Sequence, residues 1–355
     1  MKIDIIQEVH SPIVTASLSA PDEYVMLLSS GKVIRQKFNS TEGEYLFSVK
    51  SHFTFEDGGF DIDAPSTIYT LDEIVVLVND YKRHGYIHYP GKYSALHLWR
   101  EDYHADISRY PIALFRDQGQ VPYIIYAVHW NHLQIMNLDT RQVVTAAKSL
   151  IEEGAEERHL AFYKTFGEAN KLPWPLRYDY FYGQLQMSPD SSQFLSAGWR
   201  WGSHDWYNIY DVEHFINSPR IADKLIDSWE HNNRGVCWID DTTVAVTFHP
   251  VRDDEDDAPK DAPCEIHFYH MAENTATIER KIKIADADIL STSMYYSLRL
   301  EAIVIYGHLL GVLVVTLDGA IIFRDANLKV AGHYAETDLL LELTDKGMTV
   351  YQMAL

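Results

Sequence analysis

Three strand-like runs and two turns fall within the thirty-one residues from Phe181 to Asp211, FYGQLQMSPDSSQFLSAGWRWGSHDWYNIYD. That density leaves room for little other than an antiparallel meander. Gln184–Met187 reads as a first strand, and Ser188-Pro189-Asp190-Ser191 as a tight turn. Gln193–Gly198 reads as a second strand, and Trp206–Tyr210 as a third after an aromatic loop. A lone hairpin or meander is marginal in water, so such a unit must stack on others to bury its faces.

The same rhythm recurs roughly every 45 to 50 residues. Tyr24–Ser29, Lys32–Phe38 and Tyr45–Val49 form one unit, and Ile74–Val78, Tyr86–Tyr89 and Ala95–Trp99 a second. A third runs Pro111–Phe115, Tyr123–Val128, His132–Asn137 and Gln142–Thr145. The opening segment is the fourth. Gly235–Ile239, Thr243–Phe248, Glu265–His270 and Thr277–Lys281 make a fifth; Glu301–Tyr306, Leu310–Thr316 and Ala320–Phe323 a sixth. Leu339–Leu343 and Thr349–Met353 are followed by no further strand, and Ile3–Val9 supplies the missing partner as the outermost strand of the last unit. The expected fold is all-β, a seven-bladed β-propeller of four-stranded antiparallel blades closed by the N-terminal strand, with six or eight blades as alternatives. Its blades lie near 10–50, 51–100, 105–147, 179–231, 232–283, 284–326 and 327–355 with 1–9, in one domain over 1–355. Residues 148–178 break the rhythm. Leu150, Ile151, Leu160 and Ala161 among glutamates predict a small helical insertion between blades 3 and 4, interrupted at Gly154.

Runs such as Tyr123–Val128 and Leu310–Val315 are apolar on both faces, which suits middle strands covered on each side by a neighbouring sheet. Aromatic residues make up 13% of the chain, and no segment sustains a helical apolar period long enough for a helical core.

The Ser188-Pro189-Asp190 turn followed by Phe194-Leu195-Ser196-Ala197-Gly198 resembles the turn-and-strand signature of WD40-like propellers, and Asn137-Leu138-Asp139-Thr140 resembles their turn between third and fourth strands. The Gly-His and Trp-Asp dipeptides of WD40 repeats are out of register here. The resemblance implies a rigid ring with a binding face, usually for another protein.

Fifty-one acidic against thirty basic residues give a net charge of −21. Lys and Arg are scattered, so nucleic acid and anionic membrane surfaces are excluded as expected partners, and a basic protein partner is expected instead. The N-terminus carries no apolar core of signal-peptide length, and no run of about 18 apolar residues occurs. With only Cys237 and Cys264, on non-adjacent strands of one blade, the chain reads as cytoplasmic with buried thiols.

In a meander, the loops joining second to third strands and each blade to the next emerge at one end. The long connections all fall there: the acids Glu56, Asp57, Asp61 and Asp63; Glu101, Asp102 and Asp106; Trp130-Asn131-His132; the helical insertion; Trp199–Asp205; and 250–263. Trp199, Arg200, Trp201, His204, Asp205 and Trp206 place three indoles in eight positions, residue types that anchor interfaces or, alternatively, fill the gap between blades. Trp130 and His132 join them as candidate contacts. Asp253-Asp254-Glu255-Asp256-Asp257 would steer a cationic partner, or form a solvated loop; the run lacks the spacing and glycine of a calcium loop.

No phosphate-binding loop, zinc helix, Cys-x-x-Cys pair or nucleophile elbow is present, and no cofactor is expected. The i, i+3 pairs His129/His132 and His267/His270 are expected to point their rings to opposite sides. An enzymatic propeller would draw on Asp61, Asp63, His129 and His204. The leading expectation is a non-catalytic acidic interaction module or inhibitor of a basic protein, in its sharpest form a neutraliser of a toxin or nuclease like bacterial immunity proteins. The alternative is a propeller hydrolase or lyase acting on a small-molecule or carbohydrate substrate.

Overall fold

The computed structural model describes residues 1–49, 57–166, 177–202, 204–229, 234–249, 263–272, 275–285, 289 and 291–354. They fall into two compact units, Met1–Arg100 with Glu230–Leu355, and Glu101–Trp229.

The first unit holds five four-stranded antiparallel sheets. Blade 1 is β2 (Ile13–Ala20), β3 (Glu23–Leu28), β4 (Lys32–Lys37) and β5 (Glu44–Ser48); blade 2 is β6 (Ser66–Leu71), β7 (Ile74–Asn79), β8 (His84–Tyr89) and β9 (Tyr93–Trp99). Blade 5 is β17 (Val236–Trp238), β18 (Thr243–Phe248), β19 (Cys264–Met271) and β20 (Ala276–Ile284). Blade 6 is β21 (Ser293–Ser297), β22 (Ala302–Gly307), β23 (Gly311–Thr316) and β24 (Ile321–Asp325). Blade 7 combines β25 (Val330–Tyr334), β26 (Leu339–Thr344) and β27 (Gly347–Ala354) with β1 (Lys2–Val9), which pairs antiparallel to β27 from Lys2↔Ala354 to Val9↔Met348.

The Glu101–Trp229 unit holds the other two. Blade 3 has β10 (Ile112–Arg116), β11 (Pro122–His129) and β12 (His132–Asn137). Its fourth strand is reduced to a single bridge, Met136↔Val143. After α1 (Ala155–Phe166) comes blade 4: β13 (Phe181–Met187), β14 (Gln193–Arg200), β15 (His204–Asp211), a short helix α2 (Val212–Asn217) and β16 (Lys224–Trp229). The chain is thus an assembly of seven successive blades of the β-propeller type, with the N-terminal strand as the outer strand of the last.

The core follows from strand chemistry. Every residue of β7, IVVLVN, is buried, as are the first five residues of both β22 and β23. In the first unit, apolar layers join blade 5 to 6, 6 to 7, 7 to 1 and 1 to 2. One layer sets Leu18, Tyr24 and Met26 of blade 1 against Leu339, Leu341 and Val350 of blade 7. Each such side chain contributes about 1.5–3 kcal/mol on burial.

The first strands β2, β6, β21 and β25 add to the pattern expected from sequence. Their runs, IVTASLSA, STIYTL, SMYYS and VAGHY, mix polar or small residues with apolar ones, so they lack the continuous apolar signal of the middle strands. The helix α2 is a further addition; the Asp211 side chain caps it by accepting from the His214 N–H at 2.7 Å. Gly154, at φ 72°, sits immediately before α1, so it sets the start of the inserted helix. Cys237 and Cys264 are buried on β17 and β19. No helix among the described residues is long and apolar enough to cross a membrane.

Candidate functional site

Phe181, fully buried at the start of β13, organises one end of the Glu101–Trp229 unit. The register pairs it with Trp199 of β14, and their rings stack at 3.8 Å and 8°. Trp130, from the turn between β11 and β12, stacks on Phe181 at 4.3 Å, and Trp201 meets it edge-on at 4.9 Å. The connection preceding β10 adds Tyr103 at 6.3 Å and His104 at 5.4 Å. His104 turns edge-on to Trp199 and Trp201 as well.

Hydrogen bonds hold this stack. Trp199 Nε1 donates to Ser108 Oγ at 3.0 Å, and Arg109 Nη1 donates to Gln184 Oε1 at 3.0 Å, which fastens the 101–111 connection to blade 4. Asn131 Nδ2 donates to the Tyr178 carbonyl at 2.8 Å, and the Tyr182 N–H to the Trp130 carbonyl at 3.0 Å. Two members of the cluster remain half-exposed, Tyr103 at 49% and Trp201 at 50%, and Ile107 of the same connection as Tyr103 is also exposed. Asp102 and Asp106, on the same connection, are exposed.

The supposed aromatic loop Trp199–Asp205 is mostly strand. Pairing continues through Trp199↔Asp205 to Arg200↔His204, with Trp201 and Gly202 in the turn beyond it. Extended pairing alternates the side chains, which separates the three indoles. Trp199 is in the stack, and Trp201 is at the tip. Trp206 faces the other way under the Arg200 guanidinium, 4.2 Å from its ring. Asp205 is buried and accepts from the Trp229 N–H at 2.8 Å, joining β15 to β16. His204 is partly buried opposite Arg200. The acidic run Asp253–Asp257 lies outside the described residues.

The expectation that His129 and His132 point apart is corrected. The two-residue turn Trp130-Asn131 makes them cross-strand neighbours, and their rings stack at 5.8 Å and 8°. His129 Nδ1 lies 2.7 Å from Glu101 Oε2. His132 Nε2 accepts from Gln134, itself held by the Thr145 hydroxyl; burial first, then His129 and Lys148, lower its pKa. Glu101, His129, Trp130 and Arg177 line an open cavity of about 550 Å³. In the other unit, Asp61 accepts from the Asp63 N–H and pairs with Lys82, while the buried His84 bridges Asp57 and His97 at 2.9 Å each. Among the described residues no group of three or more His, Cys, Asp or Glu side chains could hold a metal ion.

Beneath the aromatic end lies a polar layer of blade 4. Tyr178, Tyr182 and Tyr210 are buried, and burial raises all three phenols well above their ordinary pKa. Tyr178 donates to Asp223 at 2.6 Å, and Asn208 Nδ2 donates to the same oxygen. The Tyr178, Tyr210, Asn208 and Asp223 side chains thus form one connected buried network, which rigidifies the sheet that carries the stack.

No protein-family model matches the chain, and no curated protein matches it.

Proposed function

We propose that this protein is a non-catalytic binding module whose docking platform is the Phe181-centred aromatic end of the Glu101–Trp229 unit, and that its partner is a protein presenting basic side chains. The observation that carries this reading is the pair of half-exposed rings, Tyr103 and Trp201, held on a rigid stack with Asp102 and Asp106 exposed on the same connection. Aromatic faces beside carboxylates attract Lys and Arg, and pre-stacked anchors lose little side-chain entropy on binding. A net charge of −21 adds long-range attraction, consistent with an inhibitor of a basic toxin or nuclease.

The test is affinity capture at low salt with wild type, Trp201→Ala and Tyr103→Ala. Either substitution should weaken recovery of a basic partner by roughly 10-fold or more, as expected for a hot-spot aromatic, with the melting temperature unchanged. A correctly folded double variant that retains every partner of the wild type would remove the platform from the account.

A second reading, a hydrolase or lyase acting on a small-molecule or carbohydrate substrate, draws on the Glu101–His129 pair in its cavity. The carboxylate at Nδ1 orients the imidazole as a general base requires. Turnover of chromogenic esters or glycosides that disappears in His129→Gln would favour it.

A further inference from the structure

A different cavity in the same unit has a chemistry opposite to that of the whole chain. It measures about 360 Å³ and lies between α1 and the end of β14, lined by Glu152, Arg158, Phe162, Arg177, Tyr178 and Arg200, with Asp179 at its wall. In a chain of net charge −21, three arginines here face two carboxylates. The volume falls in the range of small-molecule sites, and the phenyl ring of Phe162 and the ring of Tyr178 give it an apolar side.

The resident anion is shared. Glu152 pairs with Arg158 and, at 3.7 Å, with Arg200. Two guanidiniums, each with five N–H donors, thus divide one carboxylate. Arg158 spends a further donor on the Glu153 carbonyl at 3.1 Å. Arg200 is held flat over Trp206, and its buried Nε has no hydrogen-bond partner among the described residues. Arg177 is exposed and makes no ion pair among them. The Tyr178 hydroxyl is committed to Asp223 and Tyr210, so it leaves only ring surface for the cavity.

We infer that this cavity is a binding site for a small organic anion with an apolar body and a carboxylate or phosphate head. The head engages Arg177 and Arg200, where a planar guanidinium fork matches an oxyanion, and the body lies against Phe162. Burial raises the pKa of Glu152, an effect increased by Asp223 and opposed by Arg158 and Arg200. The site is separate from the docking platform, since none of its lining residues belongs to the ring stack around Phe181.

Calorimetric titration of the full chain with benzoate, phenyl phosphate, benzyl alcohol and benzamidine tests the inference. Benzoate, phenyl phosphate or both should bind, whereas the neutral alcohol and the cation should not. Preference for benzoate identifies an organic acid, and preference for phenyl phosphate a phosphate ester. Arg177→Ala, on an exposed side chain, should weaken the bound anion by about 10-fold, the value of one charge-assisted hydrogen bond. Phe162→Ala should weaken phenyl phosphate and leave inorganic phosphate unchanged. Benzamidine binding as tightly as the anions, the absence of any anion binding at millimolar concentration, or full affinity in folded Arg177→Ala would each overturn it.

Discussion

At the scale of single residues, the least replaceable positions are those where backbone meets backbone. A Cβ on Gly198 would lie 2.2 Å from the Phe181 carbonyl oxygen and 2.4 Å from the Tyr180 hydroxyl. Tyr180 itself donates to the Ser196 and Trp206 carbonyls, so neither neighbour can retreat without breaking the sheet. Gly198→Ala should therefore lower unfolding free energy by about 1–3 kcal/mol, the usual effect of overpacking, read as a lower urea midpoint. A second residue-level expectation concerns acid. His333 stacks on Tyr295 at 4.2 Å and accepts from the Tyr306 hydroxyl at Nδ1, and burial lowers its pKa to about 4. Below pH 6.5 the unfolded chain takes up a proton that the folded chain refuses, so stability falls as pH drops from 6.5 towards 4. His333→Gln should remove roughly 1–2 kcal/mol of that acid sensitivity, seen as a shallower fall in melting temperature between those pH values. An equal fall in both proteins would discard this account.

At the scale of elements, the strand β1 is the most exposed to test. Along β27 it pairs from Lys2 to Val9 with one register shift between Ile5 and Gln7, while Met1 and Ile3 join one apolar layer and Ile6 and Val9 another. Deleting residues 2–9 leaves β27 as an open edge with its polar backbone unpaired. The melting temperature should fall by several degrees, and concentration-dependent association should appear in sedimentation; a monomer of unchanged stability would contradict the assignment of β1 to blade 7. This strand is legible in the sequence because Ile3, Ile5 and Val9 stand beside polar residues in a run that no other unit could use. The middle strands are legible for their unbroken apolar runs. The first strands β2, β6, β21 and β25 are not, since side chains such as Thr15, Ser17 and Ser19 mix with apolar ones and imitate loop composition. Gln142–Thr145 has the composition of a fourth strand for blade 3, but there the chain makes one bridge and Thr145 turns inward to hold Gln134 and the Ile135 N–H.

At the scale of the whole molecule, charge governs encounter rather than fold. A chain of −21 should associate with a basic partner faster at low ionic strength, because screening shortens the reach of its field. Replacing Asp253, Asp254, Glu255, Asp256 and Asp257 by their amides should slow association at low salt by about threefold to tenfold and leave dissociation nearly unchanged, measured by stopped-flow or surface-based kinetics. A rate unaffected by the replacement would exclude that segment from steering.

The amino-acid sequence by itself determined the succession of seven blades, the helical insertion and the burial of the thiols, since these depend on local periodicity and turn chemistry. Tertiary structure alone decided what those connections build. Only the pairing of Phe181 with Trp199, and the return of Tyr103 and Trp130 to the same ring, made one stack from aromatic rings that the sequence scatters over a connection, a turn and a hairpin. The Trp130-Asn131 turn brought His129 onto His132, and the insertion brought Glu152 and Arg158 to Arg200, across 48 and 42 residues of chain. Apart from the histidine pair, which a two-residue turn closes, such contacts join residues far apart in sequence, and their geometry is set by strand register and sheet packing rather than by any pattern a local segment carries.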